Sequence, residues 1–149
     1  MDKINEGEAL RPPLVLSAED HARLVALAGV MTRRNPLVAR LLLEEADRAE
    51  VMLAGHVPPG IVAMGSIVEF RDAATGEERQ VQVVLPGEAD IAESRISILS
   101  LVGAGLIGLS EGQSIDWPTQ DGRLRRLTIL RVHASSTTMG GADSAAAPA

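Results

Sequence analysis

Apolar positions recur along this chain with a helical period in its first third and with a period close to two thereafter. From Ser17 the spacing of Leu24, Leu27, Ala28 and Met31 predicts a helix. Ser17-x-x-Asp20 is a capping-box variant at its start, with Asp where Glu or Gln would be stronger. Asn35-Pro36 opens a second helix, Asn as the cap and Pro in the first turn. Its stripe runs Val38, Leu42, Ala46, Ala49, Leu53 and stops before Gly55 and the Pro58-Pro59-Gly60 linker. Two such helices joined by a few residues make an antiparallel hairpin.

Past the linker the pattern alternates. Ile67-Val68-Glu69-Phe70 reads as a strand, Thr75-Gly76 as a turn and Arg79 to Leu85 as a second strand, broken by Pro86-Gly87-Glu88-Ala89-Asp90. Ile96 and Ile98 alternate around Ser97, and Ser100 then caps a short helix. Leu101, Val102, Leu106, Ile107 and Leu109 supply its apolar face, and Gly108 and Gly112 end it. Ile115 and Trp117 begin a strand paired through Asp121-Gly122 with Arg123 to Val132. The expectation is an α+β chain: a short coiled-coil hairpin and a small, mainly antiparallel sheet crossed by one short helix. In residue numbers this divides into a lead-in at 1–16, the hairpin at 17–54, a linker at 55–64, the sheet domain at 65–134 and a low-complexity, disordered tail at 135–149.

Gly103, Gly105 and Gly108 spell GxGxxG after a strand and at a helix start, the arrangement that seats a pyrophosphate in dinucleotide-binding folds. That function also needs a full crossover helix and a parallel strand ending in an acid roughly 20 residues on. Here Gly112 arrives too early and the next strand runs into a hairpin turn, so the pattern reads as a glycine-rich packed helix.

Composition narrows the function classes. One Phe, one Trp and no Tyr make the core aliphatic. No run is long and apolar enough to span a membrane, and MDKINEGEALRPP does not read as a signal peptide. The lack of cysteine excludes disulfides and Cys-zinc sites and suits a cytoplasmic protein. A net charge of -6 argues against a broad basic surface for free nucleic acid, so any contact with nucleic acid is indirect. His21, His56 and His133 have no partner at ligand spacing, which leaves no metal or other cofactor implied. Ser94, Ser97 and Ser100 lie near no His–acid pair, and the carboxylates Glu44, Glu45, Asp47 and Glu50 are spread around a helix. A binding module, not an enzyme, is the expectation.

Charge on the hairpin is segregated. Between His21 and Leu43 there is no Asp or Glu, but there are Arg23, Arg33, Arg34 and Arg40. The open end carries Glu19, Asp20, Glu44, Glu45, Asp47 and Glu50. Two readings stand: a solvated pair of helices with i,i+4 support such as Glu44–Arg48, or a basic tip at Arg33, Arg34 and Asn35 that meets an acidic surface.

From Gly65 onward the chain resembles the C-terminal domain of the bacterial Gre transcript-cleavage factors. The phrases that carry the resemblance are Gly65-Ser66-Ile67-Val68, Thr75-Gly76-Glu77-Glu78, Pro86-Gly87-Glu88-Ala89-Asp90, Ile96-Ser97-Ile98-Leu99-Ser100, Val102-Gly103, Leu106-Ile107-Gly108-Leu109 and Glu111-Gly112-Gln113. Leu101 stands where Gre-type sequences usually have Pro. The hairpin departs from Gre, whose longer coiled coil ends in an acidic tip that helps hold a catalytic magnesium. In layout the chain resembles the Rnk family, the so-called regulators of nucleoside diphosphate kinase, which pair a Gre-type C-terminal domain with a truncated hairpin. The resemblance implies an FKBP-like fold and binding of RNA polymerase at the rim of its secondary channel, in competition with Gre factors and without transcript cleavage. On that expectation the corner Ser100, Leu101, Val102, Gly103 and Ala104 docks on the polymerase, although Leu101 and Val102 could equally fill the core. The FKBP-like fold raises an alternative, peptidyl-prolyl isomerase or peptide binding, for which Phe70 and Trp117 are the whole aromatic supply.

Overall fold

The computed structural model describes residues 11–119 and 123–134. The turn expected at Asp121-Gly122, residues 1–10 of the lead-in and the tail at 135–149 lie outside the described residues. The order is β1 (Val15–Ser17), α1 (Ala18–Met31), α2 (Pro36–Arg48), β2 (Glu50–Met52), β3 (Ile67–Asp72), β4 (Glu77–Val84), β5 (Arg95–Ser97), α3 (Leu101–Leu106), β6 (Ser114–Pro118) and β7 (Leu124–His133).

Both hairpin helices start at the caps that the sequence marks. Ser17 Oγ accepts from Asp20 N at 3.0 Å, and Asn35 Oδ1 accepts from Val38 N at 3.2 Å with Pro36 in the first turn. The reciprocal half of the capping box is not made. Asp20 instead accepts from the backbone N of Met64 at 3.0 Å and from Arg23 at 3.2 Å, which ties the base of the hairpin to the segment before β3.

The second helix is shorter than its apolar stripe suggests. It ends at Arg48; Ala49 is extended and Glu50–Met52 form β2, paired in parallel with Val15–Ser17. Leu53 is therefore not on a helix face and is 68% exposed. The lead-in, in turn, is ordered where it is described: Leu14 and Leu16 are buried, and Val15 N bonds Gly108 O at 3.0 Å.

The main sheet has the order β5-β4-β3-β7-β6, antiparallel except for the β4–β5 pair. One face carries Val68, Phe70, Val81, Val83, Ile115, Trp117, Leu127 and Ile129 into the interior. The opposite face is polar: Ser114 and Thr128 hydroxyls meet at 2.7 Å, and Asp116 accepts from Arg126 at 2.8 and 3.2 Å. That hydrogen bond, reinforced by the charge of Asp116, raises the Arg126 guanidinium above its ordinary pKa. Buried side chains of the hairpin (Leu24, Ala28, Val38, Leu42, Ala46), the lead-in and the sheet form one continuous cluster.

α3 is six residues, shorter than the stretch from Leu101 to Leu109 that its apolar positions suggest. Ile107 is its cap, and Gly108 follows at φ +84°, a left-handed conformation that ends the turn. Ile107 and Leu109 are buried all the same, but as extended chain inserted beneath the lead-in rather than as a helix face.

Candidate partner-binding site

Two regions carry the residues singled out in the sequence, the β5–α3 corner and the hairpin tip.

At the corner the chain turns on Ser97 and Ser100. The Ser97 carbonyl accepts from Ser100 N at 2.9 Å and from Ser100 Oγ at 2.7 Å, while Ser100 Oγ accepts from Gly103 N at 3.0 Å. Leu101 occupies the first helical position, where Pro also fits because that N–H has no partner within the helix. Leu in place of Pro therefore leaves the capped turn intact. The Leu101 carbonyl accepts from Trp117 Nε1 at 2.6 Å, which anchors the helix start to β6. Leu101 and Val102 are half-buried, packed on the core yet keeping outward surface; Gly103 and Ala104 are buried. The surface that this corner offers is therefore that of Ser100, Leu101 and Val102, with Gly103 and Ala104 buried behind them.

Each glycine of the GxGxxG run faces a neighbour that leaves no room for a side chain. A Cβ on Gly103 would meet the Ser97 carbonyl oxygen closer than real Cβ atoms approach. On Gly105 it would lie 2.9 Å from the Trp117 ring, and on Gly108 2.6 Å from Leu14 Cδ1. The pattern is explained by packing and leaves no exposed phosphate cradle.

The tip is closed by its own hydrogen bonds. Thr32 Oγ1 donates to Ala28 O at 3.0 Å and Asn35 N donates to Met31 O at 2.9 Å. Asn35 is thus spent as the α2 cap, whereas Arg33 and Arg34 are exposed. Among the described residues neither has an ion-pair or hydrogen-bond partner. The other two arginines of the basic stretch differ: Arg23 lies 3.2 Å from Asp20, and Arg40 lies 3.7 Å from Glu44. Within this stretch, among the described residues, the guanidinium groups without a partner are therefore those at the tip. With 14 residues at 1.5 Å each, α1 reaches only about 20 Å.

The base holds what the sequence did not reveal. Glu45 is fully buried and accepts from Arg48 at 2.9 and 3.0 Å. Arg48 also donates to Pro12 O at 2.6 Å. The expected Glu44–Arg48 pair is not formed; Glu44 instead meets Arg11 at 3.3 Å as well as Arg40. Arg11 also lies over the Trp117 ring, 5.7 Å from its centroid, so this network joins the lead-in, α2 and β6. Asp72 is likewise buried, held by Arg125 at 2.9 Å. The three carboxylates buried among the described residues, Asp20, Glu45 and Asp72, have partners and serve the fold.

Nothing in these contacts forms a nucleophile–base pair. Among the described residues no three His, Asp or Glu side chains gather at metal-binding distance. A shallow groove of about 420 Å³ lies between β4, β5 and the loop at Gly87–Asp90. A smaller one of about 240 Å³ separates the start of α1 from Ile61–Met64. Phe70 and Trp117 line neither; both are fully buried in the core. Among the described residues no helix is long and apolar enough to cross a membrane.

Comparison with known proteins agrees with this layout. Residues 12–52 match the family model described as Rnk N-terminus, and residues 57–134 match that of Transcription elongation factor, GreA/GreB, C-term. A Regulator of nucleoside diphosphate kinase from Escherichia coli (strain K12) is 30% identical over 122 residues, 82% of this chain and 90% of that protein. The chain belongs to the Rnk family. It is also similar to the Transcription inhibitor protein Gfh1 of Thermus aquaticus, 36% identical over 136 residues, 89% of this chain and 84% of that one. Among solved structures, a prokaryotic transcription elongation factor GreA/GreB from Nitrosomonas europaea superposes with a TM-score of 0.63 at 34% identity, covering 82% of this chain and 98% of that chain. Rnk-family membership and this likeness support the same mixed α+β architecture, helices first and a curled antiparallel sheet after.

Proposed function

We propose that this chain is a non-catalytic transcription regulator that binds RNA polymerase near the rim of the secondary channel. It competes there with Gre-type elongation factors and does not stimulate transcript cleavage. Part of the comparisons supplies the setting: beside a regulator of nucleoside diphosphate kinase stand a transcription elongation factor family and a transcription inhibitor. The observation that carries the non-cleaving reading is the tip. Holding an extra divalent cation beside the polymerase's own needs oxygen ligands, typically carboxylates. From His21 to Leu43 the hairpin has none, and its end presents the unpaired Arg33 and Arg34. Two guanidinium groups repel a divalent cation and instead pair with carboxylates or phosphates.

The docking surface in this proposal is the outward side of Ser100, Leu101 and Val102, held in fixed register by the Ser97–Ser100 turn and by Trp117. Arg33 and Arg34 add a second, electrostatic contact inside the channel. The isomerase alternative draws no support, because both aromatic rings that would wall a proline pocket are inside the core. A pull-down on core RNA polymerase with a Gre factor as competitor tests the proposal. Retention that the competitor abolishes, and that weakens with salt and with Arg33→Glu plus Arg34→Glu, supports it; retention unaffected by the competitor refutes it.

A further inference from the structure

We propose that the outward face of α1 pairs two copies of this chain in an antiparallel, two-fold symmetric dimer in which Glu19 of each copy meets Arg33 of the other. The half of α1 opposite Leu24 and Ala28 is exposed, yet from Leu24 to Met31 the helix carries no charged residue. Ala22, Val25, Ala26, Gly29 and Val30 all lie on that exposed side, with Val30 72% and Val25 43% accessible. Solvated helix faces are normally polar; an apolar one is a surface that packs against something.

The charge at its two ends says what. Glu19 stands at the start of this face and Arg33 just beyond its end, and neither has an ion-pair partner among the described residues. Ala26 lies midway between them in sequence. A two-fold axis through Ala26 therefore brings Glu19 against Arg33 of the second copy, twice by symmetry. The same axis places the small Ala22 opposite the large, exposed Val30, and the bare Gly29 opposite the stem of Arg23. Large side chains then enter spaces left by small ones on both sides, as close helix packing requires. Space over Gly29 is open, so nothing among the described residues fills that hollow. A parallel arrangement fails on the same residues, since it would set Glu19 against Glu19 and Arg33 against Arg33.

One 14-residue helix face is smaller than the roughly 800 Å² per partner of a standard interface, so the dimer is weak and forms with rising concentration. The test is sedimentation equilibrium of the full chain across the micromolar to millimolar range, where a weak dimer populates. The proposal expects a dimer fraction that grows across this range and falls at high salt. Arg33→Glu and Glu19→Arg each replace two attractions with two repulsions and should weaken dimerisation about tenfold or more. The two substitutions together restore opposite charges at both ends and should recover it. Ala26→Asp, on the axis, should abolish it. All three positions are exposed, and far-UV circular dichroism confirms that each variant is folded. A chain that stays monomeric throughout overturns the proposal. So does a dimer indifferent to Ala26→Asp, or a double charge reversal no better than the single ones.

Discussion

Adding one methyl group at Gly103 should lower folding stability by about 2–3 kcal/mol, the sum of a packing clash and the hydrogen bonds it displaces. The new Cβ would sit against the Ser97 carbonyl, which is backbone and already accepts from Ser100 N at 2.9 Å and Ser100 Oγ at 2.7 Å. Relief requires α3 to move away, which stretches both bonds and the Ser100 Oγ cap on Gly103 N. Two hydrogen bonds at about 1 kcal/mol each and a cap at about 1 kcal/mol are at stake, with about 1 kcal/mol returned by the helix preference of Ala over Gly. For a chain of this size each kcal/mol moves Tm by about 2–4 °C, so Tm should fall by about 4–12 °C. Gly29→Ala is the internal control. It is the same change in a helix interior with nothing within 4 Å, and should raise stability by up to about 1 kcal/mol. Urea unfolding followed by far-UV circular dichroism reads both. A Gly103→Ala variant as stable as the parent, at an unchanged m-value, would refute the packing account of the corner.

Other outcomes follow from the base and the corner. Glu45→Ala should cost about 2–3 kcal/mol, below the 3–5 typical of breaking a fully buried pair because Arg48 keeps some solvent contact; a loss under about 0.5 kcal/mol in thermal unfolding would show that the Glu45–Arg48 pair is dispensable. Leu101→Asp should weaken binding to RNA polymerase by more than about 1 kcal/mol while the chain remains folded; unchanged affinity by titration removes the corner from the interface. Reversing Arg33 and Arg34 together to Glu should flatten the salt dependence of polymerase binding, and an unaltered salt slope would place the tip outside the contact.

What was legible in the sequence was local. Ser17, Asn35-Pro36 and Ser100 announce helix starts because a cap is a contact between residues three apart, and all three caps are made. The glycine run is intelligible from its surroundings for the same reason, since Gly112 follows too closely for a crossover helix. What was not legible depends on partners far along the chain. The stripe ending at Ala49 and Leu53 continues in helical register, but pairing with Val15–Ser17 pulls Glu50–Met52 into a strand. Glu45 looks like one more surface carboxylate until Arg48 is seen bonded to Pro12 O, and Asp20 until Met64 N is found against it. At the candidate site, Arg33 and Arg34 stood out from the lack of acids around them. That Arg23 and Arg40 are neutralised, and that Trp117 fixes Leu101, required the fold.

The central claim is that a hairpin ending in Arg33 and Arg34 occupies the polymerase channel without supplying a metal ligand. Backtracked elongation complexes, incubated with magnesium in the presence and absence of this protein, test it most directly. The account predicts that the transcript shortens no faster with the protein than without it, and that added Gre factor loses its stimulation as the protein is titrated in. Faster appearance of shortened transcripts with the protein alone would contradict it.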